Sequence, residues 1–122
     1  FSNQCWVVNK ANVQSLNDIA SQLIGIHDFL SFCKYREEMK DTRCEVFDSQ
    51  WLIDHNMIIF RISANRFLHH MIRYLVGTMI AVCDGRFTKK DFQLLLNKPK
   101  KNVRIFKAPP QGLIFEKVIY DN

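Results

Sequence analysis

The stretch Asn65–Gly85, NRFLHHMIRYLVGTMIAVCDG, decides the fold. If it forms a helix, its apolar residues cover nearly all sides of that helix and not one side only. Met71 and Leu75 fall on one side at helical spacing, and Ile72 and Val76 fall on another. A helix of this kind is packed on several sides inside a protein. Its apolar run is shorter than the about 20 residues that span a bilayer, so it predicts the core helix of a soluble domain with no membrane partner.

Arg73 lies in the middle of this predicted helix. A guanidinium does not lose its proton on burial, so in an apolar helix it needs a carboxylate, a phosphate or a route to water. One interpretation is that its stem covers apolar surface while its head reaches solvent. The other is that it lies in a cleft, where it orients a catalytic acid or binds an anionic substrate. The spacing alone leaves both open.

The rest of the chain predicts an α+β fold in a single domain over residues 1–122. An amphipathic helix, capped by Asn12, ends at Gly25, and a loop containing His27 to Phe32 follows. The remaining elements are strands over Arg43–Leu52 and Met57–Ala64, a turn at 54–56, a helix opened by a capping box at Thr88, and a closing strand over Leu113–Tyr120. We expect an antiparallel sheet of about three or four strands with helices packed on one face.

Charge and cysteine content narrow the function classes. Residues 1–60 hold five Lys or Arg against eight Asp or Glu, a charge of −3, and residues 61–122 hold twelve against four, a charge of +8. This asymmetry indicates a polyanionic partner on one face, although an ordinary solvated basic surface gives the same pattern. The four Cys residues lack C-x-x-C spacing, so neither a metal site nor a redox motif is indicated.

Four sequence motifs in order resemble the TruA-type tRNA pseudouridine synthases. FLHHMIRYLVG at 67–77 is similar to the F-L-x-x-M-(V/I)-R-x-(L/I)-V-G signature of that family. GIHDFLSF at 25–32 resembles G-x-H-D-F-x-S-F, and Thr42-Arg43 resembles a T-x-R variant. APPQGL at 108–113, followed by Val118 and Tyr120, resembles the family's ending. The four motifs are distributed over a stretch of about 95 residues.

The resemblance implies half of the bipartite pseudouridine synthase fold. The family isomerises uridine to pseudouridine in the tRNA anticodon arm, without cofactor or metal. Its nucleophile is an aspartate in an R-T-D-x-G-V segment of the N-terminal half, and no such segment occurs in these 122 residues. We therefore expect a C-terminal half that partners the missing N-terminal half, binds tRNA, and belongs to a cytoplasmic homodimeric enzyme. Alone, it is expected to be inactive.

The resemblance also implies roles for individual residues. Arg73 occupies the position of the arginine that orients the aspartate nucleophile, and Asp28, Phe29 and Phe67 are expected to shape the cleft. Asp28 has the alternative of bonding backbone amides only. The residues expected to bind RNA are Lys98, Lys100, Lys101, Arg104, Lys107 and Arg66.

Two other functions remain open from the sequence. One is a non-catalytic RNA-binding module, whose basic half binds phosphates without chemistry. The other is an interaction domain, whose apolar helix docks a partner helix.

The basic half predicts tRNA binding that weakens steeply as salt concentration rises, through counterion release. Changing Lys98, Lys100 and Lys101 together to Gln should flatten the slope of log affinity against log salt by about two or three units. The measurement is a filter-binding titration at several salt concentrations, with Lys40→Gln from the acidic half as control. An unchanged slope in the triple variant would mean that these lysines are only solvated.

Overall fold

One four-stranded sheet organises the computed structural model, which describes residues 10–54, 57–101, 103, 106 and 114–119. The strands are β1 (Gly25–Asp28), β2 (Arg43–Asp54), β3 (Met57–Ala64) and β4 (Ile114–Ile119), in that order across the sheet. The helices are α1 (Lys10–Ala20), α2 (Met71–Cys83) and α3 (Lys89–Asn97), with short 3-10 turns at Ser21–Leu23 and Leu30–Phe32. The α+β class is confirmed.

The direction of the fourth strand departs from the expected antiparallel pattern. β1, β2 and β3 pair antiparallel, as expected, but β4 runs parallel to β3, with Ile59 opposite Ile114. Parallel neighbours need a crossover connection, and α2 and α3 lie between β3 and β4 in the chain. The sheet is therefore mixed, with its parallel pair at one edge.

The buried face of the sheet carries large side chains from β2 and β3. In β3, Phe60 and Ile62 are completely buried and the residue between them is half-buried, an alternation typical of a strand with one face on the core. In β2 a bulge between Val46 and Asp48 changes which side chains point to the core. Trp51 consequently lies opposite Phe60, with ring centroids 5.0 Å apart. The helices share one hydrophobic core with this face.

Helix α2 is the most buried helix of the described chain. Its residues from Leu75 to Ala81 are all buried, and Met71 and Ile72 are buried at its start. It packs against α1 and α3. The hypothesis that this helix docks a partner helix is therefore wrong, because its apolar sides are already covered within the chain.

Two sequence-based boundaries in the N-terminal part were wrong. α1 starts at Lys10, so Asn12 lies inside the helix and not at its cap. Residues His27 and Asp28 belong to β1 and not to a loop. Four residues are too few to show a strand pattern locally, and β1 exists because it pairs with residues 43–46 of β2.

The start of α3 agrees with the sequence. The Thr88 side chain accepts a hydrogen bond of 3.0 Å from the Asp91 backbone N–H, as an N-cap does. Phe92 and Leu96 are buried, as expected. The predicted turn residues His55 and Asn56 lie outside the described residues.

Asn17 of α1 completes the edge of β2. Among the described residues, β1 pairs only with residues 43–46 of β2, so no described strand lies beside the β2 backbone at Trp51 on that side. The Asn17 carboxamide takes the place of a strand there, because its Nδ2 donates to the Trp51 carbonyl at 3.0 Å and its Oδ1 accepts from the Trp51 N–H at 2.6 Å. One side chain thereby satisfies two backbone groups of the core strand.

Asn17→Ala should lower the free energy of unfolding by about 1–3 kcal/mol, because it leaves the Trp51 N–H and carbonyl without partners. Urea unfolding followed by fluorescence measures this. Gln14→Ala is the matched control, since it removes an exposed carboxamide from the same helix and should change stability by less than about 0.5 kcal/mol. Equal losses in the two variants would show that the Asn17 bonds add nothing.

Candidate functional site

Arg73 lies in the first turn of α2 and not in its middle. The sequence predicted a helix running from Phe67, but α2 begins at Met71. His70 has φ 62° and ψ 6°, a left-handed conformation that an α-helix cannot contain, and the Met71 N–H bonds to the Leu68 carbonyl at 3.1 Å. The segment 67–70 therefore turns into the helix, and Arg73 lies in the first turn of that helix.

The surroundings of Arg73 favour an anion. The residue is half-buried, while Ile72 before it and Leu75 after it are buried. The N-terminal end of a helix carries a partial positive charge from its unpaired N–H groups. The guanidinium adds a full charge to that end, so the combination attracts a carboxylate or a phosphate.

Asp28 closes the end of β1. Its Oδ1 accepts a hydrogen bond of 3.0 Å from the Leu30 N–H and a short one from the Thr42 hydroxyl. The Phe29 N–H also bonds to the Thr42 carbonyl, at 3.0 Å. The expected bond of Asp28 to a backbone amide is thus present, together with a side-chain bond to Thr42 that was not expected. Its effect on a cleft stays a prediction.

The two phenylalanines expected to shape the cleft differ in exposure. Phe29 is completely buried, so any effect on a cleft acts through packing. Phe67 is half-buried and packs on the edge of the core.

Arg66 joins two segments of the chain. It is exposed, and its Nη1 donates to the Asp41 carbonyl at 2.9 Å. It thereby connects the segment before α2 to the segment before β2. A role in binding RNA would have to coexist with this bond.

The basic segment after α3 is described only in part. Lys98, Lys100 and Lys101 are exposed, and Arg104 and Lys107 lie outside the described residues, as does the motif at 108–113 with Tyr120. The Lys101 Nζ lies 4.7 Å from the centroid of the Tyr35 ring. This contact joins two segments that are 66 positions apart in the sequence.

The cysteines of the described chain are poor nucleophiles. Burial raises the pKa of the Cys44 thiol to about 11 and also raises the pKa values of Cys33 and Cys83. A thiol with a raised pKa holds little thiolate at neutral pH. Cys5 is outside the described residues.

Neither a metal cluster nor a membrane span is found where the structure is described. Over residues 10–54 and 57–101 and the few described beyond them, His, Cys, Asp and Glu do not come together in a group of three or more that could hold a metal ion. In that same part of the chain, each helix falls short of the length and apolarity that crossing a membrane demands. His69 and His70 lie side by side, with ring centroids 4.0 Å apart.

Sequence reasoning missed several residues that organise the site. Thr42 was noted only as part of a motif, and its bond to Asp28 was not predicted. Ser31, which is buried, was likewise noted only as part of a motif, and Tyr35, which contacts Lys101, was missed. Their partners are distant in sequence, so no local pattern signals them. The local signals were the motif at 25–32, which contains Ser31, and Thr42-Arg43 directly before a strand.

With fold and geometry established, comparisons with known proteins define the class. The model of the tRNA pseudouridine synthase family matches residues 19–121. The chain therefore belongs to the tRNA pseudouridine synthase family.

Individual relatives agree with this family. The chain is 40% identical over 105 residues to tRNA pseudouridine synthase A of Chlorobium limicola, which covers 86% of this chain and 43% of that protein. It is 37% identical over 111 residues to the protein of that name from Chlorobaculum tepidum, and 32% over 111 residues to that from Anoxybacillus flavithermus, each covering 91% of this chain and 45% of the relative. The chain thus spans less than half the length of these relatives.

Substitution shows whether the acceptor oxygen or the charge of Asp28 holds the end of β1. Both hydrogen bonds end on Oδ1, which an asparagine also has, so Asp28→Asn should change the free energy of unfolding by less than about 1 kcal/mol. Asp28→Ala should cost about 2–3 kcal/mol, because the Leu30 N–H and the Thr42 hydroxyl lose their acceptor. Urea unfolding measures both.

The alanine variant has its own check, since Thr42→Val should cost less than Asp28→Ala by removing only one of the two bonds. If Asp28→Asn were as unstable as Asp28→Ala, the carboxylate charge and not the acceptor oxygen would be what holds β1.

Proposed function

We propose that this chain is the C-terminal half of a tRNA pseudouridine synthase that converts uridine to pseudouridine in the tRNA anticodon arm. It supplies the active-site arginine, Arg73, and a basic surface for tRNA, while the other half supplies the aspartate. The observation that carries the proposal is the position of Arg73, half-buried in the first turn of a helix whose remainder is locked in the core. A cytoplasmic location and a homodimer follow from the family resemblance.

The reaction requires no cofactor in this proposal. The N1–C1′ bond of the uridine breaks and a C5–C1′ bond forms, while C5 loses a proton to solvent and N1 gains one, so that substrate and product are isomers. The target nucleotide must leave its stack to reach an enzyme side chain. The aspartate then acts in covalent or acid–base catalysis at the exposed nucleoside.

Arg73 would act on the aspartate through charge. A guanidinium within about 4–6 Å of a carboxylate lowers the pKa of that carboxylate by about 1–3 units. The aspartate is then kept ionised and oriented at neutral pH. The partial positive charge at the start of α2 supports the same effect.

The alternative is a non-catalytic RNA-binding module. It is supported by the excess of basic residues in positions 61–122. Formation of pseudouridine distinguishes the two functions. A binding module forms none, whereas a synthase forms it and needs Arg73 to do so.

In the full-length enzyme that contains this chain, Arg73→Met should lower the single-turnover rate of pseudouridine formation by about 100-fold or more, because the aspartate loses its charge partner. Affinity for tRNA should change little, since many phosphate contacts share it. Tritium release from labelled tRNA and filter binding measure the two quantities.

Arg86→Met is the matched control. This exposed arginine follows the other end of α2, where its Nε pairs with Asp84 at 2.8 Å, and its loss should leave turnover intact. The 122-residue chain alone serves as background and should form no pseudouridine. Retained turnover in Arg73→Met would remove this residue from the active site, and product from the isolated chain would show that the nucleophile lies within it.

A further inference from the structure

Ser31 fixes the basic segment after α3 against a second segment of the chain. The side chain is buried, its hydroxyl donates to the Leu95 carbonyl at 2.9 Å, and its oxygen accepts from the Lys100 N–H at 3.0 Å. Residues on both sides of the end of α3 are thus tied to the short 3-10 turn at Leu30–Phe32. The lysines that follow α3 therefore have a defined position relative to the residues just after this turn.

Tyr35, shortly after this turn, contacts Lys101, shortly after α3. The ammonium of Lys101 is 4.7 Å from the ring centroid of the half-buried Tyr35, a distance at which a cation and an aromatic face attract each other. The attraction orients an otherwise flexible lysine but leaves it exposed. Its charge is available to a second partner, and the Tyr35 ring cannot neutralise it.

The same loop is tied to the start of α2. The Lys34 N–H donates to the His69 carbonyl at 3.1 Å, two residues before α2 begins. Tyr35 is the next residue, and Arg73 lies in the first turn of that helix. Lys101 is thus linked through Tyr35 and the adjacent Lys34 backbone to the segment that leads into α2.

Charge around this place favours an anion. The exposed side chains of Lys34, Arg36, Lys98, Lys100 and Lys101 give five positive charges on the two joined segments. Two carboxylates, Glu37 and Glu38, oppose them, and both lie in the turn that the Met39 N–H closes onto the Arg36 carbonyl at 3.0 Å. Five positive and two negative side chains leave the two joined segments with a net charge of +3.

We propose that Tyr35 is a positioning residue for RNA, which holds Lys101 beside the start of α2 so that its ammonium binds a backbone phosphate near the nucleotide at Arg73. The proposal rests on the proposed function and adds to it a specific contact. An oriented lysine binds a phosphate with less loss of side-chain freedom than a freely moving one. The ligand class is the phosphate backbone of a structured RNA.

Filter binding of an unmodified tRNA transcript to the 122-residue chain, at several salt concentrations, tests this contact. Lys101→Gln should weaken binding several-fold and reduce the salt slope by about one unit. Tyr35→Leu should weaken it about two- to fivefold, the strength of an exposed cation–aromatic contact. Tyr35→Phe keeps the ring and should bind as the unchanged chain does.

A double variant shows whether the two residues act as one unit. Tyr35→Leu combined with Lys101→Gln should bind no more weakly than Lys101→Gln alone, since the effect of Tyr35 passes through Lys101. Lys89→Gln is the matched control. It removes one exposed lysine at the start of α3, the end of the helix away from Lys101, and should affect binding less than Lys101→Gln.

The outcomes separate this contact from the proposed function. Equal effects of Lys101→Gln and Lys89→Gln, or a loss in Tyr35→Phe as large as in Tyr35→Leu, would overturn the contact while leaving tRNA binding in place. An unchanged chain that binds no tRNA would overturn the RNA-binding part of the proposed function and this contact with it. Lys101 is exposed, so its variant is informative even where Tyr35→Leu disturbs the loop.

Discussion

The burial of α2 is the constraint on which the arrangement of the molecule depends. Leu75, Val76 and Met79 are completely excluded from solvent, and each such side chain contributes about 1.5–3 kcal/mol when it leaves water. Turning the helix about its axis would expose one buried side without burying another, because apolar residues cover most of its circumference. Even Thr78 fits this environment, since its hydroxyl donates to the Tyr74 carbonyl at 2.7 Å within the helix. The direction of Arg73 is therefore set by the core behind it.

Around this helix, a few polar side chains join segments that the hydrophobic core alone would leave in approximate positions. Asn17 completes an edge of β2, and Ser31 ties α3 to the turn after β1. Asn65 extends the pairing of β2 and β3, because its Oδ1 accepts from the Glu45 N–H at 2.9 Å and its own N–H donates to the Glu45 carbonyl. Buried hydrogen bonds add little net stability each but cost more when broken, so they select one arrangement over its neighbours.

The difference between local patterns and contacts distant in sequence explains where prediction from sequence worked and where it failed. β2, β3 and α3 were predicted within a few residues, because alternation and a Thr cap are local patterns. β1 was missed, since its four residues become a strand only by pairing with residues 43–46. The parallel direction of β4 was missed because nothing in a strand's own sequence encodes its partner.

The candidate site, too, was predicted only in part. Helical periodicity identified the buried helix but did not show whether Arg73 reaches solvent or lies in a cleft. Only the family resemblance favoured the cleft. The resemblance did not reveal that His70 shifts the helix start. Nor did it place Tyr35 against Lys101, because contacts 66 positions apart depend on the complete fold.

The parallel pairing of β4 has a consequence for the order of folding. β1, β2 and β3 are neighbours in sequence and can pair as soon as their residues meet, whereas β4 reaches β3 only after the chain has passed through α2 and α3. Contacts that close long loops form late, because the entropy of closure is lost before they contribute. Until then one edge of β3 offers unpaired N–H and C=O groups, the usual starting point for aggregation. A nascent chain of this family is thus most vulnerable in the interval between the docking of its core helix and the arrival of its final strand.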